Sequence, residues 1–410
     1  MKKKIAALVT ALAIFSSTLA VTALAFGTQR EITVKDGVSV YMNGEEIEMT
    51  DANGDPVDAF VYNGTTYLPA RAISEALGKD VSWDGNTGRV DITDPTENTA
   101  VEVTEQTTSA TVDSTQTDTE GAATVYFTSD ISPESLVEIY DALGVDLTGN
   151  VGVKMSTGEA GNDNYLHPDF IKQLVDKVDG TVIECNTAYG GSRASTAVHE
   201  QTIKDHGFDL LGGVDIMDRD GSMELPVEGG QHLDVNYVGK NFANYDSVLV
   251  LSHFKGHAMG GFGGALKNIS IGIGSQEGKV NIHSAGQQLG TSIFGLNVEQ
   301  ADFIESMAEA AKSVVDYKGD NMVYISVMNN LSVDCDCSSS PAEPTMADIG
   351  ILASTDPVAL DQACVDLVYA APDGADLIER MESRLGPHIL EYAESIGVGT
   401  TDYNLVNIDD

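Results

Sequence analysis

Apolar residues follow two alternating spacings along residues 123–410, and this alternation predicts an α/β domain. Continuous or every-second apolar runs are typical of strands, whereas apolar residues three and four positions apart are typical of helices. The predicted strands lie at 124–130, 150–155, 181–186, 246–252, 321–331 and 347–354. The predicted helices lie at 132–144, 168–178, 194–207, 297–317 and 356–371. Because strands and helices alternate along the chain, we expect a largely parallel sheet flanked by helices.

Residues 31–92 show a different pattern, in which short alternating runs turn at Asn-Gly or Asp-Gly pairs. Turns at Asn43-Gly44, Asn63-Gly64 and Asp84-Gly85 predict pairs of short antiparallel strands. A short helix is predicted after the second pair and ends at Gly78. We therefore expect a small, separate β-rich (α+β) domain at the N-terminal side.

The stretch NGTTYLPARAISEALG, followed by VSWDGNTGRVDI, resembles the copper amine oxidase N-terminal-like domain. This is a stalk module common on exported bacterial proteins, and the resemblance covers nearly all of residues 31–92. It implies a spacer or a wall-proximal adhesion module. The first histidine of the chain is His167, so the stalk unit has no imidazole that could ligate copper.

The first 25 residues are typical of a secretory signal peptide. Three lysines at 2–4 precede an apolar run at 5–15, and Ala23-Leu24-Ala25 has the form of a cleavage site. A retained membrane anchor is the alternative, but polar residues at 16–18 interrupt a run that would need ~20 apolar residues. We expect an exported protein, extracellular or associated with the cell wall, without a membrane span after cleavage. The lysine-rich start suits a Gram-positive bacterium.

Residues 93–122 combine Thr, Ser, Asp and Glu with almost no bulky apolar residue, which predicts an extended, disordered acidic linker. The whole chain carries a formal charge of −41. Nucleic-acid binding needs clustered lysine and arginine, so this charge argues against nucleic acid as a partner. It argues equally against anionic membrane surfaces.

The segment SHFKGHAMGGFGGALKN at 252–268 concentrates cations and imidazoles in a glycine-rich stretch of this acidic chain. It follows the predicted strand 246–252, and ligands of open α/β sheets bind beyond the carboxyl ends of strands. It lacks the lysine spacing of a P-loop, the third glycine of a dinucleotide fingerprint and the glutamate of a zincin. A compact turn with solvated histidines remains one interpretation, and a site for an anion or a metal is the other.

If the segment is a site, its residues divide into two roles. An anionic small molecule would be held by Lys255, Lys267 and Asn268. Proton transfer or metal binding would fall to His253 or His257, the two catalytic candidates.

Further polar residues follow other predicted strands. Lys154 comes at the end of strand 150–155, and Asn186 and Arg193 follow strand 181–186. Because the carboxyl ends of parallel strands meet at one edge of a sheet, we expect these residues to join the lysines of 252–268. The result would be a positive pocket in a negative protein. For Arg193, a salt bridge at the start of a helix is an equal alternative.

The chain has four cysteines: Cys185, Cys335, Cys337 and Cys364. The Cys335-x-Cys337 pair offers two thiolates to a zinc or iron ion, with His253 or His257 as a further ligand. A pair of reduced thiols and a disulfide are the alternatives. Cys364 falls on the apolar face of a predicted helix, which favours a place in the core.

The stretch HFKGHAMGGFGGALKNISIGIGSQEGK resembles the hallmark of family 362 of the domains of unknown function (DUF362), whose members are often described as iron–sulfur centre proteins. The resemblance extends over residues 125–405 and includes VIECNTAYGGSRASTAVHE at 182–200 and VDCDCSSS at 333–340. Members commonly carry cysteines spaced C-x2-C-x2-C-x3-C, a run that the four cysteines cannot make, so we do not expect a ferredoxin-type cluster. The resemblance implies a fold and a pocket but no known reaction.

Two functions therefore stay open at this point. The first is an enzyme or redox-associated protein that binds an anionic small molecule, with a metal at Cys335 and Cys337. The second is a non-catalytic surface binding or scaffold protein, or a degenerate relative of the iron–sulfur centre proteins.

Overall fold

The computed structural model describes residues 34–42, 45–47, 49–50, 57–62, 65–76, 79–84, 89–93 and 121–409. The chain divides into two compact units, residues 1–109 and 110–410. The predicted signal peptide at 1–25 and nearly all of the predicted linker at 93–122 lie outside the described residues. Among the helices of the described residues, none has the length and apolar character needed to cross a membrane.

The N-terminal unit consists of short antiparallel strand pairs and one helix. Its elements are β1 (Lys35–Val38), β2 (Tyr41–Met42), β3 (Glu45–Glu46), β4 (Ala59–Tyr62), β5 (Thr65–Tyr67), α1 (Ala70–Ala76), β6 (Asp80–Asp84) and β7 (Arg89–Thr93). The pairs β2–β3, β4–β5 and β6–β7 confirm the strand pairs that the turn residues predict, and β1 adds to β4. Apart from Asp84, which ends β6, the turn residues named above lie outside the described ranges.

The larger unit alternates strands and helices. Its strands are β8 (Ala123–Thr128), β9 (Val151–Lys154), β10 (Gly180–Glu184), β11 (Val214–Ile216), β12 (Ser222–Pro226), β13 (Val235–Gly239), β14 (Ser247–His253), β15 (Lys255–His257), β16 (Gly261–Gly263), β17 (Met322–Met328), β18 (Gly350–Ser354) and β19 (Tyr403–Asn407). Its helices are α2 (Pro133–Ala142), α3 (Pro168–Lys177), α4 (Thr196–Asp205), α5 (Ala265–Ser270), α6 (Gln276–His283), α7 (Gln300–Lys318), α8 (Pro357–Ala370), α9 (Ala375–Glu382) and α10 (His388–Ser395).

Eight of these strands form one sheet in the order β11-β10-β9-β14-β17-β18-β8-β19. Five of the seven neighbouring pairs are parallel, and only β18 runs against its two neighbours within this sheet. The largely parallel α/β fold predicted from the sequence is therefore confirmed. The pairs β12–β13 and β15–β16 are separate hairpins.

The sheet is buried on both faces, which explains its continuous apolar strands. In β14, Val248 and Val250 belong to one hydrophobic cluster, whereas Leu249 and Leu251 belong to the other. Helices α5 to α10 contribute to the first cluster, and α2 to α4 to the second. Each fully buried aliphatic side chain of this kind contributes roughly 1.5–3 kcal/mol relative to exposure.

Helices α2 and α8 begin at the capping residues that the sequence predicts. The side chain of Ser132 accepts a hydrogen bond from the backbone of Ser135 at the start of α2. Asp356 accepts two backbone N–H groups at the start of α8, and Pro357 follows it. Such caps satisfy amide donors that have no partner inside the helix.

Candidate functional site

A cavity of about 290 Å³ lies where four neighbouring strands of the large sheet end. Strands β9, β10 and β14 end at Lys154, Glu184 and His253, and all three residues line the cavity. The segment after β17, the fourth strand, contributes Cys335 to Cys337. This is the carboxyl edge at which open α/β sheets bind ligands.

Nine of the ten sequence-predicted site residues line this one cavity. They are Lys154, Arg193, His253, Lys255, His257, Lys267, Asn268, Cys335 and Cys337. The exception is Asn186, which is buried and does not line the cavity. Its side-chain amide donates to Thr196 and Asp218, and its oxygen lies 3.3 Å from His199 Nδ1.

Arg193 is held by protein acceptors. Its NH1 group donates to Glu184 at 2.6 Å and to Ser156, its Nε to Glu159 at 3.4 Å, and its NH2 group to the Tyr189 hydroxyl. Arg193 and Glu184 are both almost fully buried. Despite burial, Arg193 and His199 hold the pKa of Glu184 well below its usual range. The salt-bridge interpretation of Arg193 therefore describes its contacts in the structure.

His253 and Lys255 are both tied to Asp336. Lys255 Nζ donates to one oxygen of Asp336 at 2.5 Å, and His253 Nδ1 lies 3.3 Å from the other. His253 Nε2 donates to the carbonyl of Asn329 at 2.7 Å, so both of its ring nitrogens have protein partners. Lys255 and His253 outweigh burial and hold the pKa of Asp336 well below its ordinary value. His253 therefore has no nitrogen free for a ligand or a metal.

Lys154 and Asn268 form a second hydrogen-bonded pair. Lys154 Nζ donates to the Asn268 side chain at 2.8 Å and to the carbonyl of Met155 at 2.9 Å. The amide of Asn268 donates in turn to the carbonyl of Leu251 and to Ser252. Burial lowers the pKa of Lys154 to about 8. Asn268 thus positions a lysine rather than presenting its own amide to the cavity.

Lys267 differs from the other cations of the cavity. Its Nζ makes no hydrogen bond or ion pair with any residue that the structure describes. Burial, together with the nearby charge of Arg193, lowers the pKa of Lys267 to about 8. The hydroxyl of Thr187, another lining residue, is buried and also lacks a hydrogen-bond partner within the described part of the chain. Buried polar groups are normally satisfied, so the Thr187 hydroxyl lacks an expected partner. Lys267 is only partly buried, and its Nζ is open to the solvent of the cavity.

The cavity carries an excess of positive charge. Its described lining contains five cationic side chains, the four already named and Lys279, against the two carboxylates of Glu184 and Asp336. Lys279 donates to the carbonyl of Gly274 at 2.5 Å. The chain as a whole carries −41. The field inside the cavity therefore attracts anions that the outer surface repels.

Cys335 and Cys337 are joined by a disulfide, with their Cα atoms 5.3 Å apart. One ring nitrogen of His257 and the two sulfurs all lie within 4.8 Å of one another. Among the described residues, these three form the group whose potential ligand atoms are close enough together to hold a metal ion. Because the sulfurs are bonded to each other, they are not thiolates in this structure. The other cysteines, Cys185 and Cys364, are buried and free.

His257 is oriented by the glycine-rich segment itself. Its Nδ1 accepts the backbone N–H of Gly260 at 2.8 Å, so the neutral ring carries its proton on Nε2. Burial, together with Lys267, holds the pKa of His257 well below its ordinary value. His257 therefore acts as a neutral hydrogen-bond donor near the disulfide.

Two glycines of this segment are required by close packing. A Cβ atom at Gly256 would lie 2.4 Å from the carbonyl oxygen of Val333, where β15 passes the cysteine segment. A Cβ at Gly264 would lie 2.2 Å from Asp361, whose carboxylate accepts the N–H groups of Ala265 and Leu266 at the start of α5. The glycines thus bring α5 and Lys267 against the sheet edge.

Comparison with known proteins identifies the family. The model of the domain of unknown function DUF362 matches residues 151–366, more than half of the chain. The chain belongs to the DUF362 family. The model of the copper amine oxidase N-terminal domain matches residues 41–128, which agrees with the resemblance of the stalk unit. No curated protein matches the chain.

Two solved structures are similar over part of their length. One is the lactate racemase apoprotein from Thermoanaerobacterium thermosaccharolyticum, with 14% identity, a TM-score of 0.37, and coverage of 59% of this chain and 56% of that chain. The other is a protein from Thermotoga maritima, with 13% identity, a TM-score of 0.34, and coverage of 64% and 58%. The similarity thus spans little more than half the length of either protein.

The DUF362 match contains every residue that lines the cavity, from Lys154 to Cys337. Sequence reasoning missed three contributors, namely Thr187, Glu184 and Lys279. Glu184 had a detectable signal, because an acidic residue at the last position of an apolar strand is costly to bury without a cation.

Proposed function

We propose that the DUF362 domain binds a small anionic molecule, a carboxylate or a phosphate, in the cavity at the strand ends. One observation carries the proposal: the ammonium group of Lys267 faces this cavity and has no acceptor among the described residues. Because Lys267 is partly buried, its ammonium group is only partly hydrated and gains from an opposite charge and a hydrogen-bond acceptor. An anion bound beside Lys267 would supply both.

The rest of the cavity supports a small ligand. Its volume of about 290 Å³ lies at the lower end of the ~300–1,000 Å³ range of ligand pockets. The unpartnered hydroxyl of Thr187 and the proton on His257 offer two further donors. Protein acceptors already bind Arg193, Lys255 and Lys154. In this proposal these three residues attract the anion electrostatically rather than hydrogen-bonding to it.

The test is calorimetric titration of the full chain with inorganic phosphate and with malonate at pH 7. Replacing Lys267 by Met should weaken binding about 10- to 100-fold, because a hydrogen bond to a charged group contributes roughly 1.5–3 kcal/mol. Lys172→Met is the matched control, since Lys172 is an exposed lysine paired with Asp176 on α3. Equal affinities in the wild type and Lys267→Met would contradict the proposal, as would the absence of binding by any small anion.

Metal binding is a second candidate function, favoured by the grouping of His257, Cys335 and Cys337. Two thiolates and an imidazole suit Zn²⁺ or Fe²⁺, and three protein ligands leave one coordination position open. The disulfide must first be reduced to provide the thiolates. Elemental analysis of reduced protein after incubation with Zn²⁺ should find about one ion per chain. If the double variant Cys335→Ser, Cys337→Ser still retains the ion, these cysteines are not its ligands.

We also propose that the protein is exported and that its stalk unit holds it near the cell wall. The basic, apolar and small-residue pattern of residues 1–25 and the acidic composition of residues 93–122 support this proposal. Cell fractionation with sequencing of the mature N-terminus tests it. An intact N-terminus in the cytoplasm would contradict it.

A further inference from the structure

We propose that the Cys335–Cys337 disulfide is a redox-active couple that exchanges electrons with a small anionic thiol bound in the cavity. The inference rests on the proposed anion site and names its substrate class. It depends on where the disulfide lies, on what surrounds its sulfurs, and on the charge of the cavity.

The disulfide belongs to the cavity wall rather than to the core. Cys335, Asp336 and Cys337 all line the cavity, Cys335 from a buried position and Cys337 from a partly exposed one. Cys185 also lines the cavity, but it is buried and its thiol donates to the carbonyl of Ile273, whereas Cys364 lies in the core. Cys337 is the more exposed of the two bonded cysteines, so we assign the attack to its sulfur.

The surroundings favour departure of the Cys335 sulfur. The backbone N–H of Cys337 donates to Cys335 Sγ at 3.3 Å, and a ring nitrogen of His257 lies within 4.8 Å of both sulfurs. Hydrogen-bond donors and nearby cations stabilise a thiolate. The cysteine segment should keep its position when the S–S bond opens, because Asp336 accepts a hydrogen bond from Lys255 and lies next to His253.

The exchange consists of two balanced displacements. A substrate thiolate attacks Cys337 Sγ, a mixed disulfide forms, and the electron pair of the protein S–S bond leaves on Cys335 Sγ. A second substrate thiolate then attacks the substrate sulfur of the mixed disulfide and releases Cys337 as a thiolate. Two substrate thiolates have become one substrate disulfide, and the protein has gained two electrons. The reverse sequence reoxidises the protein at the expense of a substrate disulfide.

The charge of the cavity selects the substrate. Lys267 is the cation without a protein acceptor in the described lining, and the cavity has three more cations than carboxylates. Because Lys267 and Cys337 line the same cavity, a thiol that also carries a carboxylate should gain from Lys267 when its sulfur attacks Cys337. A thiol without a carboxylate brings only its thiolate charge to Lys267, and an aminothiol also brings a cation, which disfavours it in this positive cavity.

The test compares three small thiols: mercaptoacetate, which is anionic, 2-mercaptoethanol, which is neutral, and 2-aminoethanethiol, which is cationic. The full chain is treated with each, and loss of the disulfide is followed by alkylation and mass spectrometry, with rates expressed per thiolate. Mercaptoacetate should act at least about tenfold faster than 2-mercaptoethanol, equivalent to about 1.4 kcal/mol. The same ratio on the urea-unfolded chain supplies the intrinsic value.

Variants locate the effect. Lys267→Met should bring the ratio close to the unfolded value, whereas Lys172→Met should leave it unchanged. Malonate should slow the reaction of mercaptoacetate with the wild type by competing for Lys267. This measurement does not depend on the folding of any variant.

Two results would overturn the inference: a disulfide that resists all three thiols in the folded protein, or a folded ratio equal to the unfolded one. The proposed anion binding is tested separately, by titrating the double variant Cys335→Ser, Cys337→Ser with phosphate and with malonate. Anion binding by this variant, together with either negative result, means that the cavity binds anions without redox chemistry. Absence of anion binding in both this variant and the wild type overturns both proposals.

Discussion

Cations on two walls of the same cavity differ in whether protein groups accept their hydrogen bonds. On the β10 side, Arg193 makes four hydrogen bonds to protein acceptors, two of them on the carboxylates of Glu184 and Glu159. On the α5 side, Lys267 makes none with the described residues. Both groups lie at a sheet edge that is typical of ligand sites. Position alone therefore does not separate a structural cation from a ligand-binding one.

The difference lies in what each cation would lose on substitution. Removing Arg193 leaves two carboxylates without their cation, so the cost falls on the folded state. Removing Lys267 leaves no protein group unpaired, so the cost falls on the complex with an anion. The predictions below apply this distinction, from the largest expected effect to the smallest.

Arg193→Met should lower the free energy of unfolding by about 3–5 kcal/mol, because a buried carboxylate is left uncompensated. The pKa of Glu184, depressed in the wild type, should rise in the variant. Urea unfolding at pH 7 measures the loss. Arg219→Met is the control, since Arg219 is partly exposed beside Glu200 and Asp215 and should contribute about 1 kcal/mol or less. A loss at Arg193 no larger than at Arg219 would refute the structural role.

Asp361 offers a third case, a buried carboxylate that is held by amide donors of Ala265 and Leu266. Burial raises the pKa of Asp361 to about 7, above the ordinary 3.8, although the two N–H groups act in the opposite direction. A raised folded-state pKa means that the unfolded chain releases this proton first. Stability should therefore fall as pH rises from about 4 to about 7, by up to about 1.4 kcal/mol per unit.

Unfolding of the wild type and of Asp361→Asn across pH 4–7 isolates this contribution. The variant loses a hydrogen-bond acceptor and should be less stable at pH 4, but it should lack the wild type's decline between pH 4 and 7. Parallel curves for the two proteins would show that Asp361 does not titrate in this range.

The sequence predicts those features of the fold that depend on neighbouring residues. The apolar run of β14 and the caps of α2 and α8 depend on neighbouring residues, and all three were predicted. The strand order and the reversed direction of β18 depend on pairings between distant segments, which periodicity does not encode. The edge strand β19 is short and partly exposed, so its residues give no apolar run.

The site divides in the same way. The rule that ligands bind at strand ends placed nine candidates around one cavity, but it could not tell which cations are already neutralised. The partner of Lys255 is Asp336, 81 residues away, and Lys154 meets Asn268 across 114 residues. The state of Cys335 and Cys337 was open too, because their spacing allows thiols, a metal site or a disulfide.

Anion affinity should decrease as pH rises through about 8. Lys267 and Lys154 both have a pKa lowered to about 8 by burial, so each is charged below that value and neutral above it. If Lys267 alone holds the anion, affinity for malonate should be constant from pH 6 to 7 and fall toward tenfold per unit above about 8. Titration calorimetry of Lys267→Met should then show weak, nearly pH-independent binding. A slope that persists in this variant would assign the titration to Lys154.

The smallest effect expected is that of Lys267→Met on stability without a ligand. Burial disfavours the charged ammonium, and methionine fills a similar volume without leaving a protein acceptor unpaired. The free energy of unfolding at pH 7 should therefore change by less than about 1 kcal/mol, or rise. Urea unfolding in a buffer of neutral or cationic components measures it, because a bound buffer anion would stabilise only the wild type. A loss comparable to that of Arg193→Met would mean that Lys267 is structural and that the two walls of the cavity do not differ.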